Sequence, residues 1–224
     1  MNPAPNFDRL ARPYRWLEYL TFGPCLQRCR TWFLPEIRQC SSALVLGDGD
    51  GRFTSRLLAM SPEIRVHAVD LSPAMLAALQ KSAGSDAHRV TTEAADLRHW
   101  QPAASASYGL VATHFFLDCL TTEEISALAQ RLAPALADDA IWLVSEFASP
   151  PTVFGRVVAA PLVALLYRAF RLIANLRLSH LPDHRQSLKA SGWVIQSQHS
   201  HLNGLLVSQL WASQLRLRSV KNQS

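Results

Sequence analysis

The chain has 224 residues, 49% of them hydrophobic and 17% charged, and a formal net charge of +5. This length and composition exclude a largely disordered protein and predict one domain with a sizeable core, with disorder only in the first few residues and in 219–224. The four cysteines, without a signal peptide, favour a reducing cytosol over a disulfide framework, and none has the paired spacing of a zinc site, so no metal is expected.

An aromatic-rich amphipathic stretch, Phe7 to Phe22, predicts a helix ahead of the first strand, within a helical cap at 1–40. Arginines are concentrated in this cap and around 156–177, outside the predicted core. Such an asymmetry suits nucleic acid or an anionic membrane surface, with a solvated basic surface as the alternative. No RNA-binding module accompanies it, so no nucleic acid is expected as a partner.

A glycine-rich turn then joins a strand to a helix. The apolar run 43–46 predicts the strand, Gly47, Gly49 and Gly51 follow at every second position, and 53–60 reads as a helix. Glycine adopts positive φ and has no side chain, so a ligand can lie against this backbone. The helix N-terminus beyond it offers unpaired N–H groups. The turn is therefore the first candidate ligand site, although a plain connector is the alternative.

The spacing of these glycines discriminates between ligands. The dinucleotide fingerprint is G-x-G-x-x-G, but here the third glycine comes one residue early and Arg52 takes its place. Asp48 and Asp50 would repel a pyrophosphate and suit a ligand with an ammonium and a sulfonium. The spacing resembles motif I of the class I S-adenosylmethionine (SAM)-dependent methyltransferases. Most members carry an acidic residue where this chain has Val45, so Asp48 is the expected substitute at the ligand's amino group.

The second predicted strand ends on a carboxylate. Apolar residues alternate over 64–68, and Asp70 lies at the strand's C-terminal end, about 20 residues beyond the turn. An acidic side chain at this place accepts the ribose hydroxyls of a nucleoside ligand, with a solvated aspartate as the alternative. Ser72 as N-cap and Pro73 at the first helical position predict a helix through about Ala83.

Two further strands complete the implied cofactor site. We expect a third strand over 90–97 and a fourth from Tyr108 to His114. The resemblance implies that Asp96 receives the adenine amino group, and that the loop after the fourth strand flanks the methionine portion of SAM. The cofactor-binding residues so predicted are Gly47, Asp48, Gly49, Gly51, Asp70, Leu71, Asp96, Leu97 and Thr113.

The rest of the chain continues the alternation of strands and helices. Thr121 and Glu124 form a capping box for a helix to about Leu136, and 141–146 is a fifth buried strand. A last helix at 182–191 precedes two strands with their turn at Asn203-Gly204. The predicted fold is α/β: a doubly wound, mostly parallel seven-stranded sheet (Rossmann-like methyltransferase fold) with an antiparallel C-terminal strand pair. The predicted single domain comprises the cap at 1–40, the SAM-binding core at 41–149, a helical lid at 150–181, and the C-terminal helix and strand pair at 182–214.

Substrate choice is expected to come from the two added segments. The uncharged run 157–167 is too short to cross a bilayer, which needs about 20 residues. It suits a hydrophobic substrate, a peripheral membrane position or a homodimer contact, with core packing as the alternative. Resemblance to the ligand-covering helix of small-molecule methyltransferases makes Tyr14 and Tyr19 candidate substrate-binding residues, and Leu166 is the candidate from the lid.

The sequence thus predicts SAM-dependent methyl transfer to a small hydrophobic acceptor such as a quinol, phenol or lipid-like molecule, nearest in type to the ubiquinone/menaquinone-biosynthesis methyltransferases. His114 is the candidate base, with Asp118 as a weaker one. The alternatives are an NAD-dependent oxidoreductase of similar fold and a non-catalytic SAM-binding or scaffold protein. The expected location is the cytoplasm, with membrane association left open.

Overall fold

The computed structural model describes residues 24–37, 40–148 and 182–213. Their strands form one seven-stranded sheet in the order β3-β2-β1-β4-β5-β7-β6. The strands are β1 Ser42–Leu46, β2 Arg65–Asp70, β3 Val90–Ala94, β4 Tyr108–His114, β5 Leu136–Phe147, β6 Trp193–His201 and β7 Leu206–Ser213. The first five are parallel, and β7 runs antiparallel to both β5 and β6. This confirms the predicted fold class, including the C-terminal strand pair.

Local signals account for the helices that connect these strands. The helices are α1 Cys25–Thr31, α2 Arg52–Met60, α3 Pro73–Ala83, α4 Thr122–Leu132 and α5 His184–Ala190. The Ser72 side chain accepts a hydrogen bond from the Met75 N–H, which confirms the predicted N-cap of α3. Both halves of the capping box between Thr121 and Glu124 are present at the start of α4.

Some predicted boundaries were wrong. Helix α4 ends at Leu132 rather than near Leu136, because a short 3-10 turn containing Pro134 follows it and β5 begins directly afterwards. Strand β3 ends at Ala94, so that Asp96 lies in the loop beyond the strand. Helix α1 was not predicted as a separate element.

The sheet is covered by apolar side chains on both faces. One cluster contains Phe53 and Leu57 of α2, and the other contains Leu128 of α4 with Trp142 and Trp211 from the sheet. Strand β1 lies between β2 and β4, so the chain order reverses at β1 and opens a crevice at the C-terminal ends of these strands. Ligands of doubly wound sheets bind in this crevice.

Several predictions fall outside the described residues, namely the aromatic stretch before residue 24, the lid at 150–181, and the substrate candidates Tyr14, Tyr19 and Leu166. Within the described ranges, no helix is long and apolar enough to span a membrane. The same part of the chain contains no group of three or more His, Cys, Asp or Glu side chains that could hold a metal ion. Its cysteines are free thiols.

Candidate active site

The glycine turn connects β1 to α2 at the switch point of the sheet. Gly47, Gly49 and Gly51 have φ angles of 66°, 59° and 80°, in the left-handed region that glycine adopts without strain. The Gly47 N–H donates to the carbonyl of Val69 in β2, at 2.9 Å. The turn is thereby anchored to the neighbouring strand.

The three glycines meet different surroundings. A Cβ at Gly47 would lie 2.4 Å from the Phe116 ring, and a Cβ at Gly51 would lie 2.8 Å from the Leu79 Cα. Among the described residues, a Cβ at Gly49 would have only the Met75 sulfur within 4 Å, at the ordinary contact distance of 3.8 Å. Packing therefore accounts for the outer two glycines, whereas at the middle one the described residues leave room for an added atom.

Asp48 binds the N-terminus of α2. Its Oδ1 accepts from the Phe53 N–H at 3.2 Å, and its Oδ2 accepts from the Thr54 N–H at 2.9 Å and the Thr54 hydroxyl at 2.8 Å. Burial raises the pKa of this carboxyl from 3.8 to about 6, against the lowering effect of these hydrogen bonds and of Arg30. The carboxylate thus serves to cap the helix. The predicted contact with the ligand's amino group would have to share these oxygens.

The raised pKa of Asp48 predicts a pH effect on stability. Because its pKa is about 6 in the fold and its ordinary value is 3.8, the unfolded chain releases this proton first. Between about pH 4 and about pH 6 the folded state therefore binds more protons, and stability falls as pH rises through this window. We expect the unfolding free energy of the wild type minus that of Asp48→Asn, both measured in urea, to fall from pH 4.5 to pH 6.5 and then level off. A difference that is flat over this range would contradict the prediction.

Asp70 ends β2 beside the turn, as predicted. Its Oδ1 accepts from the Ser72 N–H at 2.9 Å, which fixes the carboxylate at the start of α3. The residue is partly buried and ends β2 at the edge of the sheet where the crevice opens. This position is compatible with the predicted contact to ribose.

The other predicted cofactor contacts have partners within the protein. Both oxygens of Asp96 accept from the Arg98 guanidinium, which lowers the pKa of the Asp96 carboxyl. The Thr113 side chain is fully buried on the same face of the sheet as Trp142, and its hydroxyl accepts from the Trp142 indole at 3.0 Å. Leu97 is part of the apolar cluster on that face, and Leu71 is partly buried beside Asp70. Contacts of Thr113 to a ligand would therefore have to come from its backbone.

The loop after β4 packs against the glycine turn. Phe115 has a φ of 56°, uncommon for a residue with a side chain, and its N–H donates to the Ser145 carbonyl at 2.7 Å. The Phe116 ring occupies the space beside Gly47. Glu146 of β5 accepts from the N–H groups of Phe116, at 3.1 Å, and Leu117, at 2.8 Å. The loop at 115–117 thus connects the ends of three neighbouring strands: it follows β4, packs against the glycine turn after β1, and is hydrogen-bonded to β5.

Glu146 is a buried carboxyl that sequence analysis did not single out. It is 1% exposed, and its Oε2 has no hydrogen-bond partner in the described part of the chain. Burial, together with the nearby Asp118 carboxylate, raises its pKa well above the ordinary value. Its position at the end of an apolar strand was the one signal in the sequence.

His114, the candidate base, is the last residue of β4. It is 4% exposed, and its ring packs 4.2 Å from the Phe53 ring. Burial and the charge of Arg30 lower the pKa of His114 well below 6.5, so the imidazole is neutral at physiological pH. Arg30 was also not singled out; it comes from α1, and its guanidinium lies 5.0 Å from the Phe115 ring centre.

A hydrogen-bond chain assigns the tautomer of His114. The Ser145 hydroxyl lies 3.1 Å from the Cys29 carbonyl and 2.9 Å from the His114 Nδ1. The hydroxyl has one hydrogen, which it donates to the carbonyl, so it must accept from Nδ1–H. The His114 Nε2 therefore carries a lone pair, and it is buried without a partner among the described residues. The end of β4 thus presents a neutral, fixed hydrogen-bond and proton acceptor.

Comparison with known proteins agrees with this geometry. Residues 43–139 match the family model described as a methyltransferase domain. No curated protein matches the chain. Among solved structures, the fold is similar to the mitomycin 7-O-methyltransferase MmcR, with TM-score 0.68 and 14% identity over 92% of this chain and 59% of that one. It is also similar to the SAM-dependent methyltransferase SibL, with TM-score 0.66 and 20% identity over 95% and 63%.

A third structure is similar along most of its own length. The N-methyltransferase NodS from Bradyrhizobium japonicum WM9, in complex with S-adenosylhomocysteine (SAH), has TM-score 0.59 and 12% identity over 84% of this chain and 87% of that one. At such identities the likeness shows the fold. The present chain spans about three fifths of the first two structures, 59% and 63%.

Proposed function

We propose that this protein is a SAM-dependent methyltransferase that acts on a small molecule. The observation that carries the proposal is the room that the described residues leave for an added Cβ at Gly49, the middle glycine of a turn whose other two glycines are closed by packing. This turn lies within the segment that matches a methyltransferase domain, residues 43–139. When bound, SAM supplies a methyl group on a sulfonium that is already activated for transfer.

The residues present fit this cofactor. The backbone at Gly49 can be approached closely because glycine itself has no side chain and the nearest described side chain, Met75, is 3.8 Å from where a Cβ would be. Asp70, one strand away, offers a carboxylate for two ribose hydroxyls. The compact glycine spacing and Asp48 are unfavourable for the pyrophosphate of NAD, whereas the charge of Asp50 is paired with Arg52 at 3.1 Å.

The strand order sets the direction in which the donor would lie. Asp70 ends β2 on one side of the turn, and β4 lies on the other side. A nucleoside held at Asp70 therefore places the remaining part of the donor across the turn, towards the ends of β4 and β5. His114 and the loop at 115–117 lie at this place. The adenine contact of Asp96 stays a prediction, since Arg98 already shares that carboxylate.

For the acceptor, we infer a small hydrophobic molecule such as a quinol, phenol or lipid-like compound. The support is the sequence, where the uncharged run 157–167, which lies outside the described residues, follows the fifth strand along the chain. The similar structures include an enzyme named as a mitomycin 7-O-methyltransferase. Methylation of a hydroxyl requires loss of its proton, and the bare Nε2 of His114 is the acceptor that the structure offers for it.

Binding measurements test the proposal directly. We expect isothermal titration to detect micromolar-range binding of SAM and SAH and no binding of NAD. Asp70→Ala should weaken SAH binding by about 1.5–3 kcal/mol, the scale of hydrogen bonds to a charged group. Asp138→Ala, which removes an exposed aspartate of β5 away from the crevice, is the matched control and should leave the affinity unchanged.

The alternative functions give different results. Binding of NAD without SAM would indicate an oxidoreductase and would overturn the proposal. Binding of SAH with no methyl transfer from labelled SAM to any phenol, quinol or lipid in a screen would indicate a non-catalytic protein. The methyltransferase-domain match and the glycine spacing favour methyl transfer over both.

A further inference from the structure

We propose that Glu146 is a positioning residue that holds the loop at 115–117 against the glycine turn and thereby shapes the half of the donor site next to β4. The inference rests on the proposed function for the identity of the donor. Nothing in the glycine motif or in the domain match requires an acidic residue at this position, because residue 146 lies beyond the matched segment 43–139.

The contacts form a chain from β5 to the turn. The Glu146 Oε1 accepts from two successive N–H groups, those of Phe116 and Leu117. These hydrogen bonds fix the direction in which the chain leaves β4. The Phe116 ring is thereby placed beside Gly47, where a Cβ would come within 2.4 Å of it. Removal of the carboxylate would leave two N–H groups without their acceptor and release this packing.

The loop also carries a local strain that needs such a restraint. Phe115 has positive φ, and a non-glycine residue adopts this conformation only when its surroundings enforce it. The hydrogen bonds that restrain these N–H groups come from one strand, since the Phe115 N–H donates to the Ser145 carbonyl and the next two N–H groups donate to Glu146. Two adjacent residues of β5 therefore determine the shape of the loop after β4.

The position of the loop determines which part of the donor it affects. Asp70 and the adenosine half lie on the β2 side of the turn in the proposed orientation, and the loop lies on the β4 side. Loss of the Glu146 contacts should therefore weaken binding of the amino-acid half of the donor and leave binding of the nucleoside half nearly unchanged. A residue that only supports global folding would affect both halves alike.

The experiment compares SAH with 5′-methylthioadenosine, which lacks the amino-acid group, by isothermal titration and competition. We expect Glu146→Ala to lower SAH affinity about tenfold or more, equivalent to at least about 1.4 kcal/mol, with methylthioadenosine affinity within about twofold of the wild type. Glu146→Gln retains a carbonyl oxygen for both N–H groups and should recover most of the loss.

Phe116→Ala provides a second variant in case Glu146→Ala does not fold. It keeps the Glu146 contacts, removes the ring beside Gly47, and should give the same selective loss of SAH affinity. Unchanged SAH affinity in the variants, or an equal loss for both ligands, would overturn the positioning role. If the wild type bound neither ligand, the proposed function itself would be wrong, so the two failures are distinguishable.

Discussion

Replacing Gly51 with alanine is expected to destabilise the fold severely, whereas the same change at Gly49 is expected to weaken ligand binding in a folded protein. At Gly51, φ is 80° and a Cβ would lie 2.8 Å from the Leu79 Cα, a backbone atom that cannot move without shifting α3. The left-handed conformation costs about 1–2 kcal/mol and overpacking about 1–3 kcal/mol more. The sum is a large part of a typical domain stability of about 5–15 kcal/mol.

Gly49→Ala has the same backbone cost without the clash. Among the described residues its Cβ would meet only the Met75 sulfur, at 3.8 Å, so we expect a loss of about 1–2 kcal/mol in unfolding free energy. The methyl group would occupy the space proposed for the ligand and reduce SAH affinity by about a factor of ten or more.

Urea unfolding and SAH titration of both variants separate the two roles. Gly192→Ala is the control for the backbone cost, because Gly192 has a φ of 85° and, among the described residues, nothing lies within 4 Å of an added Cβ. It lies between α5 and β6, away from the glycine turn, and should show the backbone cost alone. Equal SAH affinity in Gly49→Ala and Gly192→Ala would mean that the turn is only a connector.

The parts of this site that the sequence predicts are those encoded within a few residues of each other. The glycine spacing, the cap at Ser72 with Pro73, and the capping box from Thr121 to Glu124 are all local, and the structure confirms the cap and the box. The alternation of strand and helix patterns along the chain was likewise sufficient to predict the seven-stranded sheet. Strand order in such folds follows from few alternatives, because parallel connections are right-handed and short.

The roles that were missed depend on partners far apart in the sequence. Glu146 contacts N–H groups that precede it by 29 and 30 residues, and the tautomer of His114 is set by Ser145 and by the Cys29 carbonyl, 116 residues before that serine. No spacing rule reveals such pairs in a single sequence.

Charge patterns were also ambiguous where a carboxylate could contact either a ligand or a neighbouring group of the protein. The sequence assigned Asp48 to the ligand because of its acidic character, and the family resemblance implied a ligand contact for Asp96. The structure shows Asp48 binding the N-terminus of α2 and Asp96 paired with Arg98. A carboxylate beside a helix start or an arginine is satisfied locally, and the sequence alone does not show which partner prevails.

His114→Ala is expected to lower kcat by about 10²–10⁴-fold, the usual contribution of a positioned general base, with SAH affinity within about twofold. The basis is the buried Nε2 at the end of β4 and the fixed tautomer, which leaves its lone pair without a hydrogen-bond partner among the described residues. Ser145→Ala keeps the imidazole but removes the group that fixes its tautomer, so its loss in kcat should be smaller. Tritiated SAM with an acceptor found by screening phenols and quinols provides the assay.

The pH profile gives an independent check on this role. A base must be unprotonated to act, and burial with the Arg30 charge holds the pKa of His114 well below 6.5. Activity that depends on His114 should therefore be constant from pH 6.5 to pH 8.5 and fall only as the pH drops through that lowered pKa. An unchanged kcat in His114→Ala would exclude His114 as the base. A loss of SAH affinity as large as the loss of kcat would instead assign its Nε2 to the donor, where an ammonium group would be its natural hydrogen-bond partner.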